Sequence, residues 1–127
     1  MKTAIQKLKE KLEKLCKAYI RKRDDCICQR CQKPVDGPNC HCSHVIPVSF
    51  SKRMSFILIN MKVLCYHCHI NWWHKHPTES GEWFRNKFPD RMKALDEMKI
   101  DPNLRRPIKE AELLETIEEV KQLLENL

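Results

Sequence analysis

Apolar side chains recur at alternating spacings of three and four at Ile5, Leu8, Leu12, Leu15 and Tyr19, the period that lays one stripe along an α-helix. Lysines fill many of the other positions, so the pattern predicts a basic amphipathic helix up to residue 23. From Asp24 to about Pro47 the periodicity stops, Cys, Pro and Asn dominate, and Pro34, Gly37 and Pro38 act as breakers. That stretch predicts a knuckle and a loop. The segments HVIPVSF (44–50) and SFILINMKVL (55–64) are rich in β-branched and aromatic residues and flank the polar SKRM. They read as two strands, or as a strand and an extended turn. After Cys65 the spacing becomes helical again, first as far as Pro77, then over about 79–88 with Trp83, Phe84 and Phe88, then over about 90–99 with Met92, Leu95 and Met98. Asp101, Pro102 and Asn103 interrupt it. A last helix over about 108–126 carries Leu113, Ile117, Val120, Leu124 and Leu127, with Pro107 suited to its first turn.

The expected fold class is therefore α+β and helix-rich. Residues 1–23 form a basic helix, 24–100 the core, and 101–127 an acidic helical end. A chain of 127 residues has room for one main core, and only two glycines among 32% charged residues argue against a sandwich or barrel. The net charge of +7 is unevenly placed: residues 1–23 hold nine basic and two acidic side chains, residues 110–127 six acidic and one basic. A basic excess suits a polyanionic partner such as DNA, because each neutralised phosphate releases a counterion. The two terminal stripes have the pattern of a helix-helix seam with opposite charges on its rim, closed within one chain or between two chains of a homodimer.

Eight cysteines in so short a chain can mean disulfides or metal. The opening MKTAIQKLKEKLEKL is charged throughout and carries no apolar signal segment, and no stretch reaches the ~20 apolar residues needed to span a membrane. A cytoplasmic, reducing setting is expected, where paired cysteines read as metal ligands. Cys28 and Cys31 in CQRC and Cys65 and Cys68 in CYHC supply two such pairs. Each two-residue spacer lets both thiolates converge on one ion, and two knuckles complete the closed tetrahedron of structural Zn2+. Cys26, Cys40 and Cys42 lie close enough in sequence to compete, whereas Cys16 borders the first stripe and reads as packing.

Between the knuckles stands CHCSHVIPVS, in which His44 opens an apolar segment. A neutral imidazole can take a proton from water near pH 7. Asn60 follows the expected second strand, five residues before Cys65, and His69 directly follows Cys68. This His, Asn, His order, interleaved with a cysteine frame, resembles the HNH (ββα-metal, His-Me finger) nucleases. The stretches YIRKRDDCICQRC, HCSHVIPVSFSKRMSF, INMKVLCYHCH and HPTESGEWFRNKF more closely resemble the phage NinG (Rap) recombination proteins and, more distantly, the recombination endonuclease VII type.

The resemblance implies a zinc-stapled ββα-metal core with His44 as general base, Asn60 fixing the turn and His69 as ligand of a catalytic divalent cation. Mg2+ or Mn2+ is the default cation, and a histidine ligand also permits Ni2+ or Zn2+. It further implies DNA hydrolysis, on branched or recombination intermediates, in the cytoplasm of a bacterial host. Many HNH sites have Asp or His before the base, where this chain has Ser43, a poor ligand. His74 and His76 are candidate replacements, with His41 behind them. On an ideal helix, however, five residues turn a side chain to another face and seven carry it roughly 10 Å along the axis, so neither reaches the His69 ion unless the helix distorts. Lys52 and Arg53 are candidate phosphate contacts. Trp72, Trp73 and Trp83 read as packing before base stacking. The rival readings are a non-catalytic zinc module that binds DNA and a helical adaptor.

Overall fold

A computed structural model describes residues 1–127. Thr3 starts the first helix by accepting the Gln6 N–H while the Gln6 side chain accepts the Thr3 N–H, which satisfies two donors a helix start would otherwise leave bare. The helix, α1 (Ala4–Arg23), ends on Arg21, Lys22 and Arg23, the sign its C-terminal dipole favours. It buries Leu12, Cys16 and Ile20, with Leu8, Leu15 and Tyr19 at the margin and Ile5 exposed. The buried line is thus shifted from the stripe read in the sequence towards Cys16.

That line packs against the last helix, α4 (Glu110–Glu125), which buries Leu113, Ile117 and Val120. The seam closes within one chain, and no ion pair crosses it. Lys2 pairs with Glu10 and Lys17 with Glu13 inside α1, and Lys121 with Glu118 inside α4. The apolar side chains therefore hold the seam, because exposed pairs contribute little. Pro107 stands ahead of α4 and not in its first turn, and its carbonyl accepts from Arg53.

Two four-residue strands, β1 (His41–His44) and β2 (Met61–Leu64), form one antiparallel pair with His41 opposite Leu64, Cys42 opposite Val63, Ser43 opposite Lys62 and His44 opposite Met61. Of the two stretches expected as strands or as a strand and a turn, 55–64 contains β2 only at its end, and 44–50 is turn apart from His44, the last residue of β1. Residues between the strands run through turns and two 3-10 turns, Arg53–Phe56 and Leu58–Asn60, and Asn60 leads into β2 instead of following it. The apolar residues of these stretches are packed all the same: Ile46 and Met54 are buried, and Val45, Phe50, Phe56, Ile57 and Ile59 pack against the core.

Arg23 and Asp24 tie the end of α1 to this unit. Asp24 accepts from Arg23 at 2.8 Å and from the Val63 N–H at 2.9 Å, and Arg23 donates onward to the carbonyls of Leu58 and Met61. After β2 and Cys65 comes a π-helix, His67–Trp73, then α2 (Pro77–Lys87) and α3 (Pro89–Lys99), each begun by a proline whose missing N–H costs nothing there. Trp72 and Trp73 are buried and Trp83 half-buried, as packing residues should be. No helix is long and apolar enough to cross a membrane.

Candidate metal centre and histidine site

The sulfur atoms of Cys28, Cys31, Cys65 and Cys68 all lie within 4.8 Å of one another. At the ~2.3 Å Zn–S distance the edge of a tetrahedron is about 3.8 Å, and Cys31 Sγ stands 3.9 Å from Cys65 Sγ. The four can hold one metal ion such as zinc. Burial acts upward on Cys28, but the backbone N–H groups of Cys31, Cys65 and Arg30 outweigh it and bring the thiol down to about 7. Burial, with the crowding thiols of Cys65 and Cys28, pushes Cys68 up to about 12 despite Arg30. A cation at the centre of the four reverses that crowding. Arg30 braces the site, its Nη1 3.6 Å from Cys68 Sγ and its guanidinium 4.1 Å above the Trp72 ring.

The other four cysteines stay out of this cluster. Cys16 is pushed up to about 12 by burial, and its Sγ faces the Phe56 carbonyl. Burial and then the neighbouring Cys26 push Cys40 up to about 11, and burial raises Cys42.

Asn60 is fully buried and spends its whole amide on the loop that follows His44. Its Oδ1 accepts the Ile46 N–H at 2.8 Å, and its Nδ2 donates to the carbonyls of Ile46 and Met54, both at 3.0 Å. Its backbone carbonyl also accepts the Val45 N–H at 2.8 Å. Asn60→Ala strands those three buried partners, at about 1–3 kcal/mol each before relaxation. The expected loss, read by urea unfolding, is about 2–4 kcal/mol, and a change under about 0.5 kcal/mol would remove the clamp from the account.

The clamp sets His44 at the end of β1. Its Nε2 lies 3.3 Å from the Ser55 carbonyl, which can only accept, so Nε2 carries the proton and Nδ1 keeps its lone pair. Burial holds His44 below the ordinary histidine range, Lys62 and Lys17 act in the same direction, and the Ser55 carbonyl opposes them. His44 lines two clefts. One also contains Lys9, Lys17 and Lys52, and the other contains His69 and His74.

His69 sits between two further rings. Its Nδ1 is 2.9 Å from His41 Nδ1, and its Nε2 is 3.1 Å from His74 Nε2. The helix departs from ideal geometry here, the one condition under which His74 could approach His69: in the π-helix the His74 N–H bonds the His69 carbonyl, five residues back. Residues five apart thereby come onto one face, with ring centroids 4.7 Å apart. Burial, followed by His74 and His41, lowers His69 to about 4. His76 stands at the N-cap position of α2 without a side-chain capping bond, and no hydrogen bond or ring contact joins it to His69 or His74.

Two basic residues differ from the sequence reading. Arg53 forms two bonds to the Glu112 carboxylate, at 2.5 and 3.1 Å, and others to the carbonyls of Arg106 and Pro107. Its N–H groups tie the 3-10 turn to α4, while Lys52 stays exposed in the His44 cleft. Lys62 was not singled out from the sequence, yet it is fully buried in β2, with Nζ 2.8 Å from Ser43 Oγ and 3.1 Å from the centre of the Trp73 ring. No carboxylate pairs with it, and burial holds it well below the usual lysine range. The only sequence signal for it was a lysine inside the apolar run MKVL. No protein-family model matches the chain, and neither a curated protein nor a solved structure shows significant similarity to it.

Proposed function

We propose that this chain is a metal-dependent endonuclease of the HNH type, hydrolysing DNA phosphodiester bonds from a ββα-metal core stapled by zinc at the four cysteines. One observation carries the reading: His44, with an unprotonated Nδ1, borders both a lysine-lined cleft and the cleft of His69 and His74. In that arrangement His44 Nδ1 removes a proton from water, the hydroxide oxygen bonds to phosphorus, and the P–O bond to the leaving sugar oxygen breaks. Asn60 holds the loop on which that ring depends. A divalent cation at His69 supplies, when bound, polarisation of the phosphate and stabilisation of the departing oxygen. Lys52 and Lys9, which make no ion pair, are suited to neighbouring phosphates, whereas Lys17 is paired with Glu13. Branched or recombination intermediates in a bacterial cytoplasm are the substrates and setting we infer from the family resemblance.

A second reading, a zinc module that binds DNA without cutting it, is favoured by one feature. Ser43 Oγ is engaged by Lys62 and offers no ligand where many HNH sites have one. Incubating supercoiled plasmid with the protein and Mg2+, Mn2+ or Ni2+ separates the two. Nicked or linear product that requires added metal and His44 supports the nuclease; retarded but intact plasmid supports the binding module.

A further inference from the structure

The buried amine of Lys62 reaches from β2 to both elements that carry the site histidines. On one side Nζ donates to Ser43 Oγ at 2.8 Å and stands 3.5 Å from the His44 carbonyl, at the two residues that end β1. On the other side it lies 3.1 Å from the centre of the Trp73 ring, which belongs to the same π-helix as His69. The strand register sets Ser43 opposite Lys62 and His44 opposite Met61, so the amine meets the residue just before His44.

Packing alone gives no reason for a lysine here. Its neighbours Met61, Val63 and Leu64 are all buried, and a methionine would fill the same unbranched space without leaving an amine in an interior that has no carboxylate for it. Ser43 is equally buried, and its hydroxyl has Lys62 as its side-chain partner. Two buried polar side chains thus face each other across the strand pair, and such breaks in the local rule are expected at functional or strained sites. The His44 ring needs support from this side. Its one ring hydrogen bond, to the Ser55 carbonyl, is 3.3 Å long, against a usual length of about 2.9–3.0 Å. Asn60 clamps only the loop that follows it.

We propose that Lys62 is a positioning residue for His44: together with Ser43 it holds the end of β1 against the π-helix through Trp73, and so aims the His44 ring into the cleft that His69 shares. The inference rests on the proposed role of His44 as general base and adds the pair that orients it.

The test compares wild type with Lys62→Met and with the double variant Ser43→Ala, Lys62→Met, all with zinc present. Replacing both partners of a buried polar pair by apolar groups is nearly neutral for stability. The double variant should therefore melt close to wild type, and it serves if Lys62→Met, which strands the Ser43 hydroxyl, folds poorly. Nitrogen NMR of the imidazole should show His44 as the single Nε2–H tautomer in wild type and as a mixture of both tautomers in the variants. Metal-dependent plasmid cleavage at saturating DNA should fall at least about tenfold in both, with the DNA concentration at half-maximal rate unchanged. A displacement of about 1 Å is enough for losses of about 100-fold. In a His44→Ala background neither variant should slow cleavage further, because Lys62 acts through that ring. An unchanged His44 tautomer in the folded double variant overturns the proposal, whatever the cleavage rate. Tautomer mixing in the variants, with no cleavage by wild type under any metal, upholds the positioning role and removes the nuclease reading. His44-dependent cleavage that stays within about twofold of wild type in the double variant does the reverse.

Discussion

His44→Ala is expected to lower metal-dependent plasmid cleavage by about 10²- to 10⁴-fold, the range a positioned general base contributes. DNA affinity and melting should barely change, because His44 is half-buried at the end of a strand and its one ring hydrogen bond goes to the Ser55 carbonyl. The loss should appear in the rate at saturating DNA, as removal of an interaction made only in the chemical step. The pH profile gives an independent check. Burial holds His44 below the ordinary histidine range, and the neutral ring is the active form. Activity should therefore fall on the acid side at a pH below about 6.5 and stay flat through neutrality. Cleavage by His44→Ala within about threefold of wild type, or an acid limb at or above pH 7, would end the assignment of His44 as base.

The second large effect is structural. Stripping the metal from the four-cysteine cluster with a strong chelator, or replacing Cys68 with serine, is expected to unfold the chain. The cluster joins the knuckle after α1 to the turn that leads into the π-helix, and metal binding in small zinc units is worth about 10–16 kcal/mol. That is comparable with the about 5–15 kcal/mol by which whole domains are stable. Cys68 is itself buried and touches Arg30, so the serine variant also leaves the Arg30 guanidinium without its sulfur. Even partial loss of the site, at about 3 kcal/mol, should lower melting by roughly 10 °C. Elemental analysis should find one zinc per chain in the wild type and none in the chelated protein. Folded protein with no metal, or a Cys68→Ser variant that melts as wild type, would falsify the staple.

How far the sequence anticipates this molecule depends on what fixes each element. The helices at both ends are readable because each buries one face at helical period, and Leu12, Leu113, Ile117 and Val120 are indeed buried. The cysteine pairs are readable because short-range spacing alone brings two thiolates together, and the structure joins the two pairs. The hairpin is not, because its position follows from long-range bonds. Asn60 clamps residues 46 and 54, and Asp24 holds Val63, so the apolar run from Val45 to Ile59 fills the core from turns. The histidine cluster is hidden for a different reason: His74 joins His69 only through a helix wider than the one assumed. Arg53 and Lys62 show the same limit for charge. A guanidinium between Lys52 and Met54 goes to α4, and an amine within MKVL goes to the core.

Lys62 has a thermodynamic consequence of its own. Its ammonium is charged in the unfolded chain, and burial without a carboxylate favours the neutral amine in the folded one. Folding then expels a proton wherever the pH lies between the folded value and the unfolded value of about 10.4. The unfolded state binds more protons in that window, so this residue's contribution to stability rises as the medium becomes more alkaline and levels off above the unfolded value. A salt-bridged lysine does the opposite, losing its contribution as the pH climbs. The strand pair of Ser43 and Lys62 therefore couples the closing of this small sheet to the release of a proton.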